Sequence, residues 1–416
     1  MRRTFAPAAL AASALLAAGA TALSPAAHSS GAAAQQAAST QNYIVVLNDS
    51  AAARRVAAAH DDLFGIQVRH VYRSALKGYS AKMTPTAARL IGAMPVVQWV
   101  QNDRRVSTTA QTTPTGINRS DADASPTANI NGVDQRVNVD VAVIDTGADL
   151  SHPDLNIYGP GAKNCSTAAL NANDLNGHGT HVSGTVGAID NGNGVVGMAP
   201  GARIWPVKVL SDAGSGLNSD VICGIDYVTA HANEIEVANM SLGGGGSDDG
   251  NCGNSNNDAM HKAICRSVGA GITYAVAAGN DSKSAATSTP AAYDEVITVS
   301  ALADFNGQPG GGAPSTCRSD QDDTFASFSN YGPDVDIIAP GVCINSTWML
   351  GGYNSISGTS MASPHVAGAA ALYTANNPAA TPAQVKAALL SSGTSNWSNA
   401  DDKDSTKEPL LNVAGY

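Results

Sequence analysis

Residues 139–147 read Val139-Asp140-Val141-Ala142-Val143-Ile144-Asp145-Thr146-Gly147. A short apolar run that closes on an acid and a turn pair reads as a strand buried on both faces, with Asp145 at its carboxyl end. Strands of the same kind are expected at 204–210, 237–242, 272–278 and 296–302. Helices are expected between and after them, at 218–233 and 258–268 and as an alanine-rich helix at 360–375. Alternation of this type predicts an α/β fold with a doubly wound, mostly parallel sheet, helices on both faces and the site beyond the carboxyl ends of the strands.

Upstream the pattern is different. Strands at 43–47, 68–72, 78–82 and 96–100 frame a helix at 51–60 and a second that starts with Thr84 as cap and Pro85 in the first turn. The order β-α-β-β-α-β is a split βαβ unit, a small α+β ferredoxin-like domain. Before it, Met1-Arg2-Arg3 and an Ala/Leu-rich stretch to residue 23 read as a cleaved export signal. The organisation expected for the 416 residues is therefore a signal at 1–28, a linker at 29–42, the small unit at 43–109 and a main domain at 110–416. An exposed, cleavable connection is expected at 107–114.

Net charge is −11, unevenly spread: residues 43–109 carry +5 and residues 110–416 carry −18. An acidic body disfavours nucleic acid and anionic membranes as partners, and its sign favours association with the basic unit. Six cysteines (Cys165, Cys223, Cys252, Cys265, Cys317, Cys343) in an exported chain point to disulfides. Six allow about 15 pairings, so connectivity does not follow. Proximity in sequence favours Cys252–Cys265 and Cys317–Cys343, leaving Cys165–Cys223.

Three segments carry chemistry. Asp145 ends its strand at Thr146-Gly147. A second Asp-Thr-Gly loop, which an aspartic-protease dyad needs, is missing from the sequence. His178 lies in Asn176-Gly177-His178-Gly179-Thr180-His181, at a helix start, placed to shuttle protons near neutral pH. His178 and His181 could instead pair on a metal, but no third ligand stands nearby and His181 reads as a packed residue. Ser360 lies in Gly358-Thr359-Ser360-Met361-Ala362-Ser363-Pro364, where a loop enters a helix whose free N–H groups favour an oxyanion. Pro364 is taken to sit near the first helical turn. Each segment alone has a plain structural reading as a turn, a packed residue or an N-cap. Together they supply orienter, base and nucleophile.

The three segments, in this order, closely resemble the subtilisin-like serine peptidases, and the resemblance extends from about residue 110 to the end. It implies a subtilisin-like fold and a serine endopeptidase. It implies that Asn280, in Ala277-Ala278-Gly279-Asn280, helps hold the oxyanion, and that Ser241-Leu242-Gly243 and Gly214-Ser215-Gly216 pair with the substrate backbone. The pocket walls Ala277, Ala278 and Gly279, with Ser288 near the floor, bear no charge, so neutral P1 side chains are expected in place of Lys or Arg. The loop Ile189-Asp190-Asn191-Gly192-Asn193-Gly194-Val195 resembles the family's calcium loop. The implied oxygen ligands are Gln111, Asp154, Asn191 and the carbonyls of Ile189, Asn193 and Val195, which suit structural Ca²⁺. Residues 43–109 look like the family's inhibitory propeptide, acting as intramolecular chaperone and inhibitor, with cleavage expected after Thr109. The resemblance thus implies a secreted, extracellular enzyme made as a precursor. Its expected partners are protein and peptide substrates and its own propeptide, with no nucleic acid or membrane partner, and it is expected to act as a monomer without further domains. Alternatives are a non-catalytic binding protein with the same fold, an acyl hydrolase and a narrow-specificity processing protease.

Overall fold

The computed structural model describes residues 40–103, 110–404 and 406–416, in two compact units that divide after Asp103. The signal expected at 1–28 and the cleavage point at Thr109 lie outside the described residues.

The first unit runs β1 (Gln41–Leu47), α1 (Ala53–Phe64), β2 (Gln67–Tyr72), β3 (Gly78–Met83), α2 (Pro85–Gly92) and β4 (Val97–Asn102). Its sheet has the order β2-β3-β1-β4, antiparallel throughout. Thr84 caps α2 by accepting the Ala87 N–H at 3.2 Å, with Pro85 behind it. Period-two burial along β1 places Tyr43, Val45 and Leu47 in a small core with Ala57, Tyr79 and Ile91.

The second unit is built on six parallel strands: β5 (Asp140–Asp145), β6 (Arg203–Lys208), β7 (Val237–Met240), β8 (Thr273–Ala277), β9 (Ile297–Ala303) and β10 (Ile337–Pro340). They pair in the order β6-β5-β7-β8-β9-β10. The chain steps from β5 to β6 on one side and returns to β7 on the other, so the switch point lies at the carboxyl ends of β5 and β7. The unit's longer helices are α3 (His178–Gly187), α4 (Asn218–Ala230), α5 (Ala259–Gly269), α6 (Thr359–Asn376) and α7 (Pro382–Ser392). Alternate residues of β5 serve two cores. Val141 and Val143 join Val182 of α3 and Val366 of α6, while Ala142 and Ile144 join Ile225 of α4 and Ile264 of α5. A strand buried on both faces must be apolar on both, which is why 139–144 lacks the alternation of a half-exposed strand.

Helix α6 departs from expectation at Pro364, which is its sixth residue, beyond the first turn. A proline there removes the N–H that would bond the Ser360 carbonyl. The Ser241 hydroxyl takes that role, donating to the Ser360 carbonyl at 2.7 Å. It is itself held by the Asn239 amide at 2.9 Å, and Asn239 accepts from the Ser363 hydroxyl at 2.8 Å. Asn239, although in an Asn-x-Ser triplet, is wholly buried.

All six cysteines are paired, as Cys165–Cys223, Cys252–Cys265 and Cys317–Cys343. Among the described residues no helix is long and apolar enough to cross a membrane.

Candidate active site

Asp145 closes β5 at the switch point, its carboxylate fully buried. Oδ1 accepts the Thr146 N–H at 2.7 Å and lies 2.7 Å from His178 Nδ1. This bond fixes the imidazole tautomer, with the proton on Nδ1 and Nε2 left to accept. The ring is about a quarter exposed. Burial would lower the His178 pKa, but the Asp145 carboxylate, by charge and by hydrogen bond, and the Asp174 charge outweigh it, so the ring titrates above 6.5.

Two glycines let α3 start where it does. Gly177 has φ +102°, and a Cβ there would lie 2.3 Å from the Trp348 ring. A Cβ on Gly179 would lie 2.1 Å from the Gly147 carbonyl oxygen, so only glycine lets the helix approach the Asp145 turn. Asp174 organises the junction. Its Oδ1 accepts from Thr146 Oγ1 and from the N–H groups of Asn176 and Gly177, and its Oδ2 accepts from Thr180 N and Oγ1. Behind Asp145, the buried Lys208 ammonium donates to the Thr146 carbonyl at 2.5 Å and pairs with Asp212 at 2.8 Å. His181 is buried against Trp348, with Nε2 2.9 Å from the Ile344 carbonyl oxygen, and burial takes its pKa down to about 3. That is a packed neutral histidine.

Ser360 is the second residue of α6. Its hydroxyl donates to the Ser241 carbonyl at 3.3 Å, and no hydrogen bond joins it to His178 in this conformation. Catalytic contacts of this kind commonly tighten only when substrate is bound. Asn280 Oδ1 accepts from Thr359 N at 2.8 Å and from Thr359 Oγ1 at 3.0 Å. The carbonyl end being engaged, the Asn280 amide N–H₂ is left to the cavity that Asn280 lines with Ser360.

Two cavities share Leu242, Gly243, Gly244 and Thr289. One, of about 430 Å³, lies between Gly214-Ser215-Gly216 and Ser241-Leu242-Gly243 and reaches His178. The other, of about 330 Å³, is walled by Ala277, Ala278, Gly279 and Ser288 and reaches Ser360. All ten residues expected to meet substrate therefore line one continuous cleft. The sequence reading overlooked Asp281, which lines the second cavity beside Asn280. Its carboxylate is paired with Lys283 at 3.1 Å, so the wall carries no net charge from this pair. The adjacency to Asn280 was the available signal.

The expected calcium ligands also converge. Gln111 N and Thr112 N donate to the carbonyls of Gly192 and Gly194, laying the start of the main domain along the loop. Gln111 Oε1 accepts from Asn191 N and Gly192 N at 2.9 Å each, so this amide spends its oxygen on the loop backbone. The buried Asp154 carboxylate accepts from Asn191 Nδ2 at 3.0 Å and from Val195 N at 3.0 Å. Burial raises its pKa to about 6 despite these bonds and one from Tyr353. Among the described residues no hydrogen bond ends on the carbonyl oxygens of Ile189, Asn193 or Val195. A buried carboxylate beside three unengaged carbonyls is an oxygen-donor set that fits Ca²⁺.

A serine, a histidine and an aspartate at one end of a parallel sheet, along a cleft with two strand-like walls, define a serine hydrolase of the α/β class. The chain belongs to the subtilase family. Residues 136–413 match the subtilase family profile, and residues 42–109 match that of peptidase inhibitor I9. The chain is 39% identical over 318 residues to subtilisin E of Bacillus subtilis (strain 168), covering 76% of this chain and 75% of that protein. It is 38% identical over 343 residues to an extracellular serine proteinase of Thermus sp. (strain Rt41A), covering 80% and 75%. A solved structure of a cold adapted subtilisin-like serine proteinase superposes with TM-score 0.52 at 33% identity, covering 72% of this chain and 97% of that one. The protein is a subtilisin-type serine endopeptidase with an I9-type propeptide.

Proposed function

We propose that this is a secreted endopeptidase of broad, neutral or apolar P1 preference, which matures by cutting its own precursor after Thr109. Ser360 Oγ attacks the scissile carbonyl while His178 Nε2 takes its proton. The carbonyl oxygen gains charge between the Asn280 amide and the Ser360 N–H, and the bond to the leaving amine breaks as His178 returns the proton to it. Asp145 holds the ring and its positive charge. Water repeats the sequence on the acyl-enzyme and frees Ser360. The 2.7 Å Asp145–His178 bond carries this reading, since it fixes the tautomer the base needs.

The P1 preference is supported by the second cavity, whose one acid, Asp281, is paired with Lys283. The domain boundaries 1–28, 29–42, 43–109 and 110–416 belong to the same reading, with residues 43–109 serving as folding aid and inhibitor before removal. Asp154 and the carbonyls of Ile189, Asn193 and Val195 would hold calcium, joined by Gln111 and Asn191 once their side-chain oxygens release the loop N–H groups they accept here, and the ion when bound supplies positive charge that fixes this loop. Mass mapping of peptides released from a proteome digest tests the specificity. Cuts after many neutral side chains are expected; cuts confined to Lys and Arg, or to one narrow motif, would reassign the enzyme to dedicated processing.

A further inference from the structure

His261, in the first turn of α5, is wholly buried and takes no part in the cleft chemistry. Its ring stacks on Tyr293, centroids 4.1 Å apart and planes 3° from parallel. Nε2 lies 2.9 Å from Glu295 Oε2, a bond that needs the proton on Nε2 because a carboxylate can only accept. Nδ1 has no hydrogen-bond partner. It nevertheless faces two carboxylate oxygens, Asp249 Oδ1 at 3.3 Å and Asp248 Oδ1 at 3.6 Å.

Those carboxylates are not free to turn away. Asp249 accepts the N–H groups of Asn251, Gly253, Ser255 and Asn256, and Asp248 accepts those of Gly250 and Asp294. With one ring N–H given to Glu295, Nδ1 thus faces two fixed carboxylates and is hydrogen-bonded to neither. A buried polar nitrogen left without a hydrogen bond is costly. A cation in the gap turns it into a ligand. Lys262, next in the chain, is directed to Asn254 at 3.0 Å.

We propose that His261 Nδ1, Asp248 and Asp249 hold a divalent cation of the zinc class, with Glu295 fixing the imidazole. A metal-bound histidine that gives its other N–H to a carboxylate is the usual outer-shell arrangement of such sites. A tetrahedral ion with bonds of about 2.0–2.1 Å separates its ligands by roughly 3.3 Å, close to the spacings here. A nitrogen donor among oxygens selects zinc over calcium, which takes oxygen ligands throughout. Cys252 and Cys265 lie alongside, but their sulfurs are spent on each other. The ion would pin the loop between Gly245 and α5. That loop leaves the strand Gly244–Gly245, which pairs with Ser288–Thr289 at the cleft wall, and Met260 beside His261 lines the cleft.

The test is zinc titration of the mature, serine-blocked protein in excess calcium, against a chromophoric competitor, with Co²⁺ absorption as a second readout. Wild type should bind one equivalent with the absorption of a four-coordinate nitrogen–oxygen site. Asp248→Asn should weaken binding at least about tenfold and His261→Gln should abolish it, the Cys252–Cys265 bond remaining intact by mass. If His261→Gln fails to fold, Asp248→Asn, at a partly exposed position, decides alone. Absence of zinc uptake by wild type, or wild-type affinity in Asp248→Asn, overturns the proposal.

Discussion

Two side chains on either side of the cleft do opposite things with the same resource, a fixed proton. Asp145 pins one on His178 Nδ1, and Asn280, its carbonyl tied to Thr359, turns two outward. Because Asp145 and Asp174 raise the His178 pKa, the ring is still protonated, and unable to act as base, somewhat above pH 6.5. The acid limb of kcat/KM should therefore have its midpoint above 6.5, with activity rising as pH rises through it. Asp145→Asn should move that midpoint down and lower kcat about 10⁴-fold, the scale set by loss of the correct tautomer. A limb unmoved in the variant would separate His178 from the titration. Asn280→Ala should lower kcat roughly 10²–10³-fold with little change in KM, because the donor meets charge that exists only in the transition state. Steady-state kinetics on a peptide anilide distinguishes this from a binding defect, which would appear in KM.

At the scale of elements, what sequence could and could not show follows from the range of each interaction. Strand β5 and cap Thr84 were legible because apolar runs and capping residues act within a few positions. Asp174 was not: four of its five bonds are to residues within six positions, but the one that ties it to the Asp145 turn comes from Thr146, 28 residues away. Lys208 was not, since a lysine in an apolar run gives no sign that its ammonium reaches a carbonyl 62 residues away. Pro364 rightly put the helix start close to Ser360, but its own seat beyond the first turn was not legible, because its compensation by Ser241 spans 119 residues. Helix α7 was missed although its signal was local: Thr381, Pro382 and Gln384 form a capping box with proline in the first turn. The hairpin Ile344–Trp348 with Gly352–Ile356, which packs over α3, was missed too. Burial is irregular along the first strand, and the second, although it alternates, keeps no residue fully buried, so neither carries a run of alternating apolar residues. The loop at 189–195 stood out only by its resemblance to a calcium loop, and the energetics of the proposed ion are testable. An ion at about 100 times its dissociation constant adds roughly 2.7 kcal/mol. Chelation should then lower Tm by about 5–10 °C, given roughly 2–4 °C per kcal/mol at this size. Asp154→Asn should leave Tm indifferent to the chelator; a full response in that variant would place the ion elsewhere.

For the whole molecule, the charge division is the quantity with consequences. A +5 unit and a −18 body attract, so separately prepared residues 43–109 should inhibit the mature enzyme. Since the Debye length shrinks from about 10 Å at 0.1 M salt to about 3 Å at 1 M, the association rate should fall several-fold over that range. Stopped-flow inhibition in rising salt measures it, and a salt-independent rate would mean that backbone pairing and apolar contacts govern the encounter.

The claim beneath all of this is that one hydroxyl, at the start of a buried helix, forms the covalent intermediate. A fluorophosphonate applied to the mature protein should label a single tryptic peptide, modified at Ser360. Ser360→Ala, refolded in parallel, should take no label, hydrolyse no casein and leave its precursor uncut. Label on another residue, or casein hydrolysis surviving in pure Ser360→Ala, would contradict it.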